Sequence, residues 1–195
     1  MSVYNKTNLL DLIADLKNIN QEIQIISTGG TKKMLEQHKI PVTSVEEITE
    51  YPSILGGRVK TLHPKIFGGI LNRSENNIDQ KELMKFNILN IDMVIVDLYP
   101  FEETLKQTDK EEEIIEKIDI GGVSLIRAAA KNYKDILVIP GIEEFPRAMR
   151  LINEKNGYTD LKDRLLLAQK SFTKTEPAAR PPWADRPTAS LAIST

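Results

Sequence analysis

The chain reads as an α/β domain: an open, mainly parallel sheet in three layers, with helices on both faces. Residues 92–98, Asp-Met-Val-Ile-Val-Asp-Leu, are a nearly continuous apolar run, the pattern of a strand covered on both faces. Residues 135–140, Asp-Ile-Leu-Val-Ile-Pro, repeat it. Between such runs apolar residues return at helical spacing, and strands alternating with helices define a parallel α/β sheet.

In chain order, Ser2 and Val3 represent the first strand. Leu9, Leu10, Leu12, Ile13 and Leu16 follow at helical spacing, behind Thr7 or Asn8, either of which has the side chain of an N-cap. Residues 23–27 form a short buried strand, Gly29-Gly30 a turn, and residues 31–38 a helix. The strand at 92–98 comes next, then a helix over 122–132, the strand at 135–140 and a last helix over about 160–174. In open parallel sheets the crevice lies outside the carboxyl ends of the strands. The loop 2–7, the Ser27–Thr31 segment and the residues after Asp97 all fall there.

Composition narrows the function. The chain has 195 residues, a formal net charge of −2 from 26 basic and 28 acidic side chains, no cysteine and two histidines, His38 and His63. One domain with an appendage fits this length. The near balance of charge argues against general attraction to nucleic acid or a membrane surface. Disulfides and thiol chemistry are excluded, and no metal site or cofactor is expected. No signal-peptide pattern or long apolar run is present, so a cytoplasmic protein acting on a small molecule is expected.

The densest chemistry lies in residues 56–64, Gly-Gly-Arg-Val-Lys-Thr-Leu-His-Pro. The glycines permit close approach to a ligand. Pro64 stops a helix from running through, and extended backbone would send Arg58 and Lys60 to one side. A solvated basic loop is the alternative reading. Ser27-Thr28-Gly29-Gly30-Thr31 offers hydroxyls and free N–H groups at a helix start, which suits a phosphate.

Those two segments, with Leu98-Tyr99-Pro100-Phe101 and Ile118-Asp119-Ile120-Gly121-Gly122 leading to Arg127-Ala128-Ala129-Ala130-Lys131-Asn132, resemble the inosine monophosphate cyclohydrolase family. This is the domain found in bifunctional purine biosynthesis proteins. The resemblance covers about Ser2 to Thr175 and implies a methylglyoxal-synthase-like fold. It implies closure of a formylated aminoimidazole carboxamide ribotide to inosine monophosphate plus water, without a cofactor. A purine ribonucleotide is then the small-molecule partner, and a homodimer is compatible with the family.

By the same resemblance, Ser27, Gly29, Gly30 and Thr31 hold the 5′-phosphate, with Lys6 and Thr7 joining from the first turn. Arg58 addresses the carboxamide or ribose end, and Thr61, Asp97, Ile120 and Gly121 complete the substrate contacts. Lys60, Tyr99, Asp119 and Lys131 are the expected catalytic residues: Lys60 and Tyr99 for the oxyanion, Asp119 for the nucleophile's proton, Lys131 for charge balance and water departure. Methylglyoxal-synthase-type lyase chemistry and a nucleotide-sensing module without turnover are the rival readings.

Departures are visible. Tyr4-Asn5-Lys6-Thr7-Asn8 stands where the family reads Ser-Asp-Lys-Thr-Gly, Asp97 where asparagine is usual, and Phe67 where many relatives have a second histidine. His63 before Pro64 reads more readily as a turn cap than as a proton shuttle. On their own chemistry, Asp119 near a helix start and Lys131 near its end also suit the helix dipole. A straight helix would hold those two on the order of 18 Å apart. From residue 176 the composition changes, with four of the ten prolines and no lysine. Residues 176–195 are therefore expected to form a separate, non-native or disordered tail, with Pro177 ending the helix before it. Residues 1–175 form the domain. The transformylase half is not expected here, and the first strand reads as trimmed.

Overall fold

A computed structural model describes residues 1–99 and 110–178. Five parallel strands are β1 (Ser2–Val3), β2 (Ile26–Ser27), β3 (Thr43–Ser44), β4 (Met93–Asp97) and β5 (Leu137–Ile139). They form a sheet of order β1-β4-β5 and a pair β2-β3. The two meet at Met1, whose ammonium donates to the Ile26 carbonyl at 2.6 Å and whose own carbonyl accepts the Ser27 hydroxyl at 2.9 Å. Register places Ser2 opposite Val96, and Met93, Val94 and Ile95 opposite Leu137, Val138 and Ile139.

Helices cover both faces, as expected. They are α1 (Leu9–Ile19), α2 (Gly29–Gln37), α3 (Val45–Thr49), α4 (Pro64–Leu71), α5 (Asn77–Lys85), α6 (Glu111–Ile115), α7 (Gly121–Lys131), α8 (Phe145–Glu154) and α9 (Leu161–Ala178). Alternation along β4 divides the core. Val94 and Val96 join Ile66, Ile70, Leu125 and Leu167 in one cluster, while Ile95 joins Leu9, Leu12, Ile13 and Phe145 in the other.

Several expectations are corrected. The strand at 23–27 is confined to Ile26–Ser27. Neither Thr7 nor Asn8 caps α1 through its side chain: Asn8 takes a left-handed conformation (φ 59°) with no capping bond, and Leu9 N–H turns back to the Lys6 carbonyl. No helix runs through Pro64 from the preceding loop, as expected, and Pro64 itself opens α4, because the first helical position has no N–H bond to lose. His63 is the residue before it, and its Nδ1 accepts the Lys65 N–H at 3.2 Å, the capping role.

α9 runs through Pro177 to Ala178. A proline in the final turn forfeits one backbone bond without disturbing the turns before it. Those turns are well anchored: Ser171 and Thr175 are fully buried, and their hydroxyls donate to the Leu167 and Ser171 carbonyls. The tail beyond residue 178 lies outside the described residues, as do Pro100 and Phe101. No described helix is long and apolar enough to cross a membrane.

Candidate functional site

The carboxyl ends of β1, β2 and β4 gather the loops that the motifs occupy. At the amino end of α2, Thr28 is extended and Gly29 takes φ +55°, leaving the first N–H groups of the helix pointing outward. Two amines approach them. A Cβ placed on Gly29 would lie 4.0 Å from Lys60 Nζ, and one on Gly30 would lie 3.9 Å from Lys6 Nζ. Lys6 is steadied by donating to the Tyr4 carbonyl at 3.1 Å. A helix amino end flanked by two ammonium groups is an anion cradle.

Ser27 and Thr31 do not face that cradle. Ser27 is fully buried and donates to Met1, while the Thr31 hydroxyl accepts the Val3 N–H at 3.1 Å and donates to the Val3 carbonyl at 3.0 Å. The Ser27 hydroxyl fastens Met1 to β2, and the Thr31 hydroxyl fastens β1 to α2. What this motif leaves open toward the crevice is the backbone of Gly29 and Gly30. Thr7 is exposed, and its N–H donates to Asn5 Oδ1 at 3.0 Å.

The basic loop is a tight turn, not an extended strand. Leu55–Gly57 form a 3₁₀ turn and Arg58 is in the right-handed helical region, so Arg58 and Lys60 do not share a side by alternation. Arg58 points outward to pair with Glu116 ahead of α7, both exposed. Lys60 turns inward along Gly57, where a Cβ would meet its Cε at 3.1 Å, and Gly57 itself has φ +96°. Only glycine suits both demands.

At the start of α7, Asp119 Oδ1 accepts the Gly122 N–H at 2.6 Å. Burial pushes the Asp119 carboxyl up from its ordinary value, against that hydrogen bond and the nearby Lys60 charge, which both pull it down. Gly122 has no room for a side chain: a Cβ would stand 2.5 Å from Asp119 Oδ2 and 2.8 Å from Leu98 Cδ2. One on Gly121 would stand 3.2 Å from Thr61 Oγ1, so Thr61 caps the same corner. Ile120 is exposed, and its carbonyl accepts from Ser124.

Tyr99 leaves β4 half exposed. Its ring centroid is 4.4 Å from that of Tyr4, and Lys117 Nζ lies 4.9 Å from the ring centre. Such a cation over an aromatic face is attractive. Tyr4, Glu116 and Lys117 were not singled out as site residues: Tyr4 stands where the matching family motif has a serine, and the sole signal for the other two is the run of charge before Asp119.

Two expected members stand apart. Lys131 is the last residue of α7 and is exposed; ten residues of helix place it about 15 Å from Gly121. The structure thus separates Lys131 from Asp119 within one chain. Asp97 is buried, and its carboxylate is engaged by the protein. Oδ2 accepts the Asn5 N–H at 2.9 Å, Oδ1 accepts the Ile142 N–H at 3.3 Å, and Lys174 Nζ lies 3.7 Å from Oδ1. It braces the turn that carries Lys6 and does not face a ligand. Lys6, Gly29, Gly30, Lys60, Thr61, Asp119 and Gly121 remain together, with Tyr99 and Arg58 at the rim.

A parallel α/β sheet with an anion cradle and, at its carboxyl edge, a partly buried carboxyl under the influence of a lysine charge defines a class. The MGS-like domain family matches residues 8–124, and the chain belongs to it. Among curated relatives, the bifunctional purine biosynthesis protein PurH of Bacteroides thetaiotaomicron is 46% identical over 172 residues, covering 88% of this chain and 34% of the relative. PurH of Natranaerobius thermophilus is 46% identical over 176 residues, covering 90% and 33%. The chain thus spans about a third of the length of the curated relatives it matches. The crystal structure of ForH superposes with a TM-score of 0.77 at 28% identity, covering 92% of this chain and 91% of that one. The resemblance to purine biosynthesis proteins and the methylglyoxal-synthase-like fold are both borne out.

Proposed function

We propose that the chain is an inosine monophosphate cyclohydrolase, closing a formylated aminoimidazole carboxamide ribotide to inosine monophosphate and water. The observation that carries this reading is the place of Lys60, between the amino end of α2 and the Asp119 carboxyl. It spans the distance from a phosphate cradle to an acid–base pair.

The 5′-phosphate sits on the Gly29 and Gly30 N–H groups with Lys6 beside it. The heterocycle then lies toward Thr61 and Asp119. The carboxamide nitrogen attacks the formyl carbon, forming the C–N bond of the new ring as Asp119 accepts the nitrogen's proton. Lys60 stabilises the oxygen that gains charge, with the Tyr99 phenol as a second donor. The proton taken from the carboxamide nitrogen makes that oxygen the hydroxyl of a carbinolamine; the hydroxyl then leaves as water with a second proton, the one released by the former formamido nitrogen as its C=N bond forms, and the purine ring is complete. Holding both arms of the substrate in contact is a large part of the work.

The test is ultraviolet absorbance of the hypoxanthine chromophore, with purified chain and the formylated ribotide against an enzyme-free control. Ring closure that Lys60→Ala abolishes supports the assignment. Tight inosine monophosphate binding with no ring closure would instead support a sensing module.

A further inference from the structure

Tyr99 stands half exposed at the rim, the second residue beyond β4. Among the described residues two side chains meet its ring. The Tyr4 ring lies with its centroid 4.4 Å away and its plane tilted by 42°, and the Lys117 ammonium lies 4.9 Å from the ring centre. A tilted pair of rings and a cation over a ring are each attractive. Each also restricts the side-chain torsions that aim the phenol.

Tyr4 is equipped to be the fixed partner of the two rings. Its N–H donates to the Asp97 carbonyl at 3.2 Å, and its own carbonyl accepts the Lys6 ammonium at 3.1 Å. With Val3 opposite Asp97, the register of β1 carries Tyr4 alongside the exit of β4. The ring thus leaves a backbone already braced against the strand that delivers Tyr99. Lys117 belongs to a segment that sends its side chains to different loops. Glu116 pairs with Arg58, Lys117 meets Tyr99, and Asp119 takes the Gly122 N–H. Tyr99 is thereby referred to two points, the turn that carries Lys6 and the segment that carries Asp119.

We propose that Tyr4 is a positioning residue for Tyr99, with Lys117 as its counterpart, and that together they keep the Tyr99 phenol on the oxygen that Lys60 also serves. This rests on the cyclohydrolase reading. Tyr4 acts in two separable ways. Its carbonyl steadies Lys6 and so serves the phosphate, while its ring steadies Tyr99 and so serves the chemical step. A side-chain substitution keeps the first and removes the second. Loss of the ring therefore lowers kcat and spares KM, because a donor aimed at developing charge is felt in the transition state and not in the bound substrate.

Tyr4→Ala, Tyr4→Phe and Lys117→Met are compared with the unsubstituted chain by ring-closure kinetics, and the same three are repeated on a Tyr99→Phe background. Tyr4→Ala is expected to lower kcat about fivefold, on the order of what one aromatic pair contributes. Its KM for the ribotide should stay within about twofold. Tyr4→Phe keeps the ring and should keep kcat, and Lys117→Met should lower kcat about threefold. On the Tyr99→Phe background none of the three should lower kcat further, since the group being aimed is gone. An equal fall on that background, a Tyr4→Phe chain no better than Tyr4→Ala, or a loss confined to KM would each overturn the proposal. Labelling with 3-fluorotyrosine adds a readout free of turnover: the ¹⁹F resonance of Tyr99, assigned by its loss in Tyr99→Phe, should shift in Tyr4→Ala and in Lys117→Met. An unmoved resonance overturns the proposal even where kcat falls. A resonance that moves in a chain that closes no ring would sink the cyclohydrolase reading while upholding Tyr4 as the residue that sets Tyr99.

Discussion

Asp119 is held between two opposed influences: its Oδ1 accepts the Gly122 N–H at 2.6 Å within reach of the Lys60 charge, yet burial outweighs both and raises its carboxyl above 3.8. A raised carboxyl stays protonated to higher pH, so its base form is lost as pH falls through a value above 3.8. The acid limb of the kcat/KM profile is expected above that pH. Lys60→Met removes a charge that favours the ionised form and moves the Asp119 titration further up. The carboxyl ¹³C shift of Asp119 reads this even in an inactive variant, and an unmoved titration would uncouple the pair. For folding the direction is opposite: this group contributes stability that is fully present below 3.8 and fades as pH rises through its raised folded value.

Lys6 should matter for the phosphate and not for the base. Calorimetry with inosine monophosphate is expected to show Lys6→Ala binding on the order of tenfold more weakly, about 1.4 kcal/mol. Inosine, without the phosphate, should bind both proteins alike. Equal losses for the two ligands would place Lys6 elsewhere.

Gly122→Ala tests how tightly the acid is set. The new methyl would meet Asp119 Oδ2 at 2.5 Å and Leu98 Cδ2 at 2.8 Å. Overpacking of this kind costs about 1–3 kcal/mol, offset by the ~1 kcal/mol that alanine gains over glycine in a helix. Urea unfolding should show a net loss on the order of 1 kcal/mol, together with a fall in kcat from displacement of Asp119. A gain in stability would mean that the corner has slack.

Thr31→Val keeps shape and removes a hydroxyl that serves Val3 twice, as acceptor and as donor. The buried Val3 N–H and carbonyl would each be left without that partner, a penalty of about 1–3 kcal/mol per group. A fall in melting temperature is expected, with ligand affinity reduced only as far as the β1 turn loosens. Affinity lost at unchanged stability would instead return Thr31 to the ligand.

The architecture was legible because its signal is hydrophobic: the apolar runs of β4 and β5 and the stripe of α1 survive any detail of loop geometry. Pro64 was legible as a boundary but not as the first residue of α4, because proline both breaks a helix interior and begins helices, and only the geometry of His63 decides between them. The site was half legible. Gly29 and Gly30 follow the end of β2, as their motif foretold, whereas Lys60 and Asp119 come to them from the segments ahead of α4 and α7. Ser27 and Thr31 carry ligand-like hydroxyls that the fold spends on β1, a choice made by residues 25 positions or more away. Asp97 is another such case, with partners at Asn5, Ile142 and Lys174 that no local pattern reveals. Lys131 stands apart from Asp119 for a simpler reason: the length of α7 separates the two ends of its own motif.

The Asp97 brace ties events at the ribosome to ligand competence. Every residue gathered at the cradle and the acid corner has been synthesised once residue 122 is in place, but Ile142 and Lys174, which hold Asp97 from behind, are made later. Until α9 docks, the turn bearing Lys6 hangs on a carboxylate that lacks its cationic neighbour. A growing chain thus contains all the chemistry of the site well before it contains the means to hold it still. On the proposed function, nucleotide capture then waits for α9 to dock.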